Sequence, residues 1–575
     1  MKRCPECRRD YLDDSLMYCL EDGAALVQGS VPSPDEPQTA ILHSTDARSE
    51  AATRAQIHTT AAEPQSRLSE VSEKQSLSAN RAAKPLAALI AVVVILIGGF
   101  FGFRYLSGSS TKQINSIAVM PFENRNSDAD TDYLSDGLAE SLIYHLSQLP
   151  DLKVSPTSSV FRYKGKETDP QVLAKELGVD SVMTGRIAQR GENLTISVEL
   201  VDIHNSKTLW GEKYDRKMSE LLETQQEIAA EIVQKLRLKL AGASEKELKK
   251  NYTTDNQAYQ LYLKGRFHYG NRTKADLEKA VEYFEQAIAR DPGFVLAYVG
   301  LSETYRTMPS YGYMAPREVA AKAKAAAQKA MEIDPDLAEA HAAVAGVAMN
   351  FDWDWQKAER EFKKAIELGP NVAEIHKTYG FSFLVTMGRF KEAIVELKRA
   401  LELEPLSAVY VAHLASSYMY DGQPDKAAEQ AAAANYLAPG HPTVAYHSSV
   451  IFNKAGMYEK AIELAKEGLN KDPDNQDSLV NAGYAYAKSG NRRKAEEVIQ
   501  RLREISKSRW VPSSYFAQIY GALGEKDKAI TELEKAFEDR DVDVSKMNVH
   551  PYFDDLRGDP RFVAIANRVG LPNRK

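Results

Sequence analysis

Three kinds of hydrophobic pattern follow one another along the chain. Residues 86–103 are an uninterrupted apolar run, residues 114–241 change period repeatedly, and from residue 255 onward apolar positions recur with helical spacing in units of constant length. An apolar run of this length is at the lower limit of what a helix needs to cross a bilayer. The patterns therefore predict a membrane helix, an α/β domain and a helical repeat array, in that order.

The middle region, residues 112–242, is predicted to form one α/β domain. INSIAVMPF (114–122) is typical of a buried strand, and residues 133–149 have the spacing of an amphipathic helix. SVMTGRIAQR, LTISVELVDI and TLWGEKYDR alternate apolar and polar residues and are separated by the turn-like GEN and HNS. This alternation predicts antiparallel hairpins. A last helix is predicted from about residue 219 to residue 240.

The region from residue 255 to 540 repeats itself, and the repeat decides its fold. A glycine series and a proline series run in phase with one alanine series, and their later members are 34 residues apart, the length of a tetratricopeptide repeat. About eight repeats are predicted, with residues 541–575 as a C-terminal cap. The alanines are Ala280, Ala323, Ala358, Ala393, Ala427, Ala461, Ala495 and Ala529. The glycines are Gly388, Gly422, Gly456, Gly490 and Gly524, and the prolines are Pro292, Pro335, Pro370, Pro405, Pro439 and Pro473.

Charge and cysteine content exclude two classes of protein. The net charge is −7, from 73 basic and 80 acidic residues, so the chain has no general positive field and no nucleic-acid partner is expected. The three cysteines lie close to the N-terminus and the rest of the chain has none, which excludes a disulfide-stapled secreted fold.

The N-terminal head, residues 1–28, carries the pattern C-x2-C-x11-C-x2-D, formed by Cys4, Cys7, Cys19 and Asp22. It resembles a bacterial zinc ribbon in which Asp22 stands at the position of the fourth cysteine. Tetrahedral zinc accepts an oxygen ligand, so these four residues are predicted to bind one structural Zn²⁺. A degenerate ribbon without metal, or one completed by water or by a partner chain, stays open as the alternative.

Residues 29–84 lack aromatic residues and are rich in small and polar ones, which predicts a disordered linker. The membrane segment is placed at residues 85–106, with a buried core helix as the alternative. More cations precede it than follow it, which predicts a single-pass protein of the bacterial inner membrane with a cytoplasmic N-terminus and periplasmic C-terminal domains. The flanking cations are Arg67, Lys74, Arg81 and Lys84 on one side and Arg104 and Lys112 on the other.

The α/β region also resembles a known family, the TolB amino-terminal-like domain that precedes tetratricopeptide arrays in bacterial membrane-anchored proteins. The resemblance rests on IAVMPFEN (117–124), DYLSDGLAESLIYHLS (132–147), FRYKGK (161–166), LAKELGVD (173–180) and TLWGEKYDR (208–216). It implies a binding or sensory domain without chemistry of its own. FRYKGK and EKYDR are candidate ligand contacts, or a solvated loop and a strand edge.

The chain is thus predicted to be a multidomain protein: a zinc-ribbon-like head, one transmembrane helix, an α/β domain and an all-α tetratricopeptide solenoid. No phosphate-binding loop, HExxH, GxSxG or kinase catalytic loop occurs, so an enzyme is not expected and no small-molecule substrate is identified. A membrane-anchored scaffold for signalling or envelope assembly is favoured. An accessory subunit of a cyclase or kinase system and a transmembrane one-component regulator remain alternatives.

A solenoid of this kind exposes a concave groove lined by its first helices, which is predicted to bind a peptide or protein. Phasing the repeats on the alanines places three tyrosines and several polar residues on that wall, where tyrosines provide contact area and Asn or Lys can bind a carboxylate or the backbone. The alternative is that they only solvate an empty groove. The residues are Met419, Tyr420, Tyr446, Asn453, Lys454, Tyr484 and Lys488.

Overall fold

The computed structural model describes residues 114–126, 131–147, 149, 152–166, 168–236 and 252–572, together with three short strands near the N-terminus. The chain separates into two compact units, Met1–Leu106 and Ser107–Lys575. In the first unit, β1 (Lys2–Arg3) pairs antiparallel with both β2 (Asp10–Tyr11) and β3 (Val27–Gln28).

Several predictions fall outside the described residues. These are the four predicted zinc ligands Cys4, Cys7, Cys19 and Asp22, the linker at 29–84 and the membrane segment at 85–106. Among the helices that the structure does describe, none has the length and apolar character that a membrane span requires.

The second unit begins with the predicted α/β domain, which is confirmed. Its sheet has the strand order β6-β4-β7-β8-β9, with β5 pairing beside β4 on β7. Strand β4 runs parallel to β6 and β7, whereas β7, β8 and β9 form the predicted antiparallel hairpins. The strands are β4 (Ser116–Val119), β5 (Glu123–Asn124), β6 (Lys153–Val154), β7 (Ser181–Arg190), β8 (Asn193–Asp202) and β9 (Lys207–Lys217), and the helices are α1 (Asp132–Ser147), α2 (Thr157–Val160), α3 (Pro170–Leu177) and α4 (Leu221–Lys235).

The core of this domain follows from residue spacing. In β8, Leu194, Ile196, Val198 and Leu200 are buried at every second position, as expected for a strand with one face on a core. In α1, leucines recur every four residues and are fully buried, which places one helical face against the sheet. The opposite side of α1 is left to contact the repeats.

Residues 252–538 form the all-α tetratricopeptide solenoid, which is likewise confirmed. Eight pairs of antiparallel helices follow one another, and consecutive pairs pack side by side. The first helices are α5 (Asn256–Asn271), α7 (Val295–Ser310), α9 (Ala338–Val347), α11 (Ala373–Lys377), α13 (Ala408–Tyr420), α15 (Pro442–Lys454), α17 (Gln476–Lys488) and α19 (Ser513–Ala522). The second helices are α6 (Lys274–Arg290), α8 (Pro316–Ile333), α10 (Trp355–Leu368), α12 (Phe390–Leu403), α14 (Pro424–Leu437), α16 (Tyr458–Lys471), α18 (Arg492–Ile505) and α20 (Lys526–Glu538).

The three marker series have the positions that their chemistry requires. All eight alanines are fully buried, where a small side chain lets two helices approach closely. The five glycines have positive φ at the turn inside each pair, a conformation that favours glycine. Each proline lies two residues beyond a second helix, because it cannot continue the helical hydrogen bonding.

Two repeats are one residue longer than the common 34-residue unit, and the structure shows where the extra residue goes. The intervals Ala323 to Ala358 and Ala358 to Ala393 each exceed the usual spacing by one. Each interval contains a π-helical turn, Ala348–Asp352 in the third repeat and Thr378–Leu384 in the fourth. A π-helical turn accommodates one inserted residue. The marker alanines that follow the two turns, Ala358 and Ala393, therefore keep their buried positions.

The chain ends in two 3₁₀ turns, Val542–Lys546 and Pro551–Leu556, and a helix, α21 (Pro560–Val569). This end returns to the third repeat. The indole Nε1 of Trp355 donates to the carbonyl of Val569 at 2.9 Å, and the Arg540 guanidinium lies 4.0 Å above the Trp353 ring. The solenoid therefore curls until its third repeat contacts the C-terminal segment.

Candidate functional site

The predicted groove residues lie on three neighbouring first helices, α13, α15 and α17, and the structure does bring them together. They do not face an open groove. The segment Pro551–Leu556, called here the inner segment, runs along them and makes specific contacts with most of the set.

The aromatic part of this contact centres on Tyr552, which is fully buried. Its ring stacks on Tyr484 with the centroids 3.8 Å apart and the planes 13° from parallel. The Asn453 amide donates to the Tyr552 hydroxyl at 2.6 Å, and that hydroxyl donates to the Asn481 side-chain carbonyl. The hydroxyl, which is the one polar atom of this side chain, thus has hydrogen-bond partners on both α15 and α17.

The charged part follows directly along the inner segment. Lys454 Nζ lies 2.6 Å from an Asp554 carboxylate oxygen, and Lys488 Nζ lies 3.0 Å from Asp555. Both pairs are partly exposed, so each contributes about 1 kcal/mol or less. They orient the inner segment more than they stabilise it.

The predicted exposure of the groove is therefore wrong at several positions. Tyr420, Asn453 and Tyr484 are 9%, 3% and 5% exposed, because the C-terminal segment and neighbouring helices cover them. Tyr446 and Met419 are half-buried beside Tyr552, and the Tyr446 hydroxyl lies 3.3 Å from His550 Nε2. Their predicted role in binding a partner is not tested by this arrangement.

Sequence reasoning assigned the C-terminal segment only a solvating role, although a signal for burial was present. Tyr552, Phe553, Leu556 and Phe562 are apolar or aromatic residues at a position where a solvating cap needs polar ones. All four are at most 1% exposed. The aromatic residues of this segment are the sequence feature that indicates its burial.

A cluster of buried histidines lies beside the inner segment. The His413 ring stacks on Phe381 with centroids 4.0 Å apart, and the His447 ring meets the His413 ring edge-on at 4.9 Å. Burial lowers the pKa of His447 and of His550 to about 3, with the nearby Lys546 acting in the same direction. The rings of His447 and His550 also hydrogen-bond to Ser416, to Tyr446 and to the Tyr552 backbone, and no group of metal-ligating side chains occurs within the described ranges.

A second concave region lies at the other end of the solenoid, between α1 and the first helices of repeats one to five. It encloses a cavity of about 320 Å³. Its wall combines six tyrosines with five glutamates and three arginines, a set that the sequence patterns did not single out. The tyrosines are Tyr144, Tyr252, Tyr259, Tyr262, Tyr269 and Tyr410; the charged residues are Glu140, Glu303, Glu339, Glu374, Glu404, Arg266, Arg272 and Arg306.

Family models match both folded regions of the second unit. Residues 112–231 match the model described as the second domain of HilA/YgeH-like transcriptional regulators. Tetratricopeptide-repeat models match residues 271–294, 413–478, 453–509 and 516–538. Together with the helix pairs, these matches show that the chain contains an array of tetratricopeptide repeats.

Among curated proteins, a putative adenylate cyclase 3 of Rhizobium meliloti (strain 1021) is 32% identical over 187 residues, which are 32% of this chain and 32% of the relative. The chain thus spans about a third of that relative's length. Similar solved structures include PilF of Pseudomonas aeruginosa, 25% identical, covering 38% of this chain and 95% of PilF with a TM-score of 0.29. YrrB, described as a tetratricopeptide protein with an unusual peptide-binding site, is 24% identical over 35% of this chain and 97% of YrrB, with a TM-score of 0.24.

Proposed function

We propose that the protein is a membrane-anchored scaffold whose tetratricopeptide solenoid binds a peptide or protein partner in a signalling or envelope-assembly complex. The apolar run at 86–103 supplies the anchor, with the N-terminal head in the cytoplasm and the repeats in the periplasm. The head and its Cys4, Cys7, Cys19 and Asp22 set belong to this proposal as a structural zinc site.

The observation that carries the binding role is the inner segment itself. The groove of α13, α15 and α17 accepts a short 3₁₀ segment through one stacked tyrosine, amide contacts to its hydroxyl and two lysine–aspartate pairs. A partner with the same chemistry, an aromatic residue followed by two carboxylates, would match this wall. Such a partner competes with the inner segment for the groove.

The test uses a labelled peptide PYFDDL, the sequence of the inner segment, and the full chain. Wild type holds its own tyrosine in the site, whereas Tyr552→Ala leaves that site open. We expect the peptide to bind Tyr552→Ala about tenfold more tightly than wild type, a difference of about 1.4 kcal/mol. Fluorescence anisotropy measures the two affinities, and the peptide PAFDDL is the matched control.

Failure of PYFDDL to bind a Tyr552→Ala chain that remains helical by circular dichroism would contradict the proposed groove chemistry. The scaffold role has its own readout. Proteins crosslinked to the wild-type chain in intact cells should be lost with Tyr446→Ala/Tyr484→Ala and retained with Arg493→Ala, an exposed residue of the second helix α18. The same proteins recovered with all three chains would place the partner elsewhere.

The proposed zinc site predicts about one zinc per full-length chain. Three thiolates and a carboxylate at this spacing satisfy a tetrahedral ion, and zinc binding and folding are coupled in small ribbons. Elemental analysis of the purified chain measures the metal content. We expect Cys7→Ser to lose the zinc and Ser15→Ala, a change in the same head outside the ligand set, to keep it. A metal content unchanged by Cys7→Ser refutes the assignment.

A second candidate function is an accessory chain of a nucleotide-cyclase system. The similarity to the putative adenylate cyclase of Rhizobium meliloti favours it. A transmembrane one-component regulator is the third, favoured by the match of residues 112–231 to a transcriptional-regulator domain. The head has more acidic than basic side chains, which disfavours DNA binding by that head.

A further inference from the structure

The cavity between α1 and the first repeats has two charged clusters of opposite sign. Glu140 lies 2.9 Å and Glu303 lies 3.5 Å from the Arg266 guanidinium. These three groups and Glu339 all lie near enough to Tyr262 to act on its hydroxyl. Glu140 and Glu303 share the single guanidinium of Arg266, so this cluster keeps an excess of negative charge. It is the acidic end of the cavity.

The second cluster surrounds Glu374. Lys377 pairs with it at 2.5 Å, and Arg272 and Arg306 are near enough to act on it. Burial raises the pKa of Glu374, but these three cations outweigh burial and hold it below its usual range. Neither Arg272 nor Arg306 forms an ion pair with a carboxylate in the described part of the chain; the Arg272 guanidinium instead stacks 3.7 Å above Tyr269. This is the basic end.

Glu404 lies beside the basic end, but it does not make the net charge of that end negative. Its carboxylate accepts a hydrogen bond from Ser158 at 2.6 Å, and burial raises its pKa to about 7. Even with Glu404 ionised, the three cations Lys377, Arg272 and Arg306 outnumber the two carboxylates of this end. The basic end therefore keeps a positive excess.

Tyrosine rings and aliphatic side chains line the rest of the cavity, with Tyr262, Leu296 and Val299 among them. The volume of about 320 Å³ is at the lower end of the range for small-molecule sites, about 300–1,000 Å³. Apolar walls with a few convergent charges are typical of such sites. Arg266 and Arg272 both lie over the Tyr269 ring, at 5.5 Å and 3.7 Å, so the acidic and basic ends adjoin each other there.

We propose that this cavity binds a small zwitterion, an amino acid or dipeptide, with its ammonium at the Glu140, Glu303 and Glu339 end and its carboxylate between Arg272 and Arg306. Two guanidiniums can hold a carboxylate through paired hydrogen bonds. The ligand bridges α1 and the repeats, since Glu140 belongs to the α/β domain and the other charged groups to the solenoid. The site is separate from the groove of the inner segment.

The test measures binding of the twenty amino acids and of alanyl-tyrosine to the full chain by calorimetry, with N-acetyl-alanyl-tyrosine and alanyl-tyrosine amide as blocked probes. A zwitterion should bind saturably, and blocking either terminus should weaken binding at least ~10-fold, the loss of one charge-assisted contact. Arg306→Gln should weaken the free dipeptide at least ~10-fold and leave the amide unaffected. Glu339→Gln should weaken the free dipeptide at least ~10-fold and leave the acetylated dipeptide unaffected.

The matched controls are Arg360→Gln and Glu367→Gln, exposed residues of α10 outside the cavity, which should leave every affinity unchanged. Hydrogen exchange in α1 should slow when the zwitterion binds, because the ligand bridges α1 to the repeats. Absence of binding by all twenty amino acids and the dipeptide would overturn the proposal. Equal binding of the blocked and free dipeptides to wild type would overturn it as well, whatever the variants do.

Discussion

Replacing Phe284 by alanine is expected to destabilise the repeat array by about 3–5 kcal/mol, the usual cost of removing a buried aromatic side chain. The ring is fully buried between α5 and α7. A Cβ added at Gly265 or at Gly300 would lie 2.6 Å from this ring. Both positions therefore require glycine because of the Phe284 ring, and this ring packs the first repeat against the second. The urea midpoint of the full chain measures the loss.

The same geometry predicts the reverse experiment. Gly265→Ala should cost about 1–3 kcal/mol by overpacking the ring, whereas in Gly265→Ala/Phe284→Leu the two costs should not add, since the residues are in contact. Gly270→Ala on the same helix is the matched control, because nothing lies within 4 Å of its added Cβ. That control should be neutral or stabilising by up to about 1 kcal/mol. Equal costs at Gly265 and Gly270 would refute the role assigned to the ring.

The repeat array was predictable because its determinants are local. Close helix packing at Ala427, a left-handed turn at Gly422 and helix termination at Pro439 each depend on a few neighbouring residues. Such requirements recur in most repeats and produce a periodic pattern in the sequence. Even the two intervals with one extra residue were visible, although only the structure shows the π-helical turns that accommodate them.

The sheet was predictable in part. Alternation within β7, β8 and β9 indicates the hairpins, since their partners are adjacent in sequence. The parallel pairing of β4 with β7 joins Ile117 to Ser181, and a short buried strand carries no pattern that names so distant a partner. The strand order consequently required the structure.

The inner surface of the solenoid was not predictable, because its contacts join residues far apart in the chain. Lys454 meets Asp554 across 100 residues, and Arg266 meets Glu140 across 126. A repeat pattern specifies contacts between neighbouring repeats only. It therefore predicts an open groove. The inner segment fills that groove and α1 closes the charged cavity, and both elements lie outside the repeats.

The filled groove leads to the second large effect, at Tyr552. We expect Tyr552→Ala to destabilise the C-terminal repeats by about 3–5 kcal/mol, because it removes a fully buried ring stacked on Tyr484. Tyr552→Phe keeps the ring but leaves the buried Asn453 and Asn481 without the hydroxyl, at a cost of about 1–3 kcal/mol. Thermal melting of the full chain gives both values.

A larger loss of stability in Tyr552→Ala than in Tyr552→Phe is expected for a packed inner segment and not for a loosely attached tail. Tyr436, which is 84% exposed on α14, provides the matched control, and Tyr436→Ala should change stability by less than about 0.5 kcal/mol. In Tyr552→Ala, amide exchange should accelerate in the inner segment and in α15 and α17, while α5 to α8 keep their protection, since repeats contact mainly their neighbours. A Tyr552→Ala chain that melts like the Tyr436→Ala chain would mean that the groove is open in solution, as the repeat pattern alone predicts.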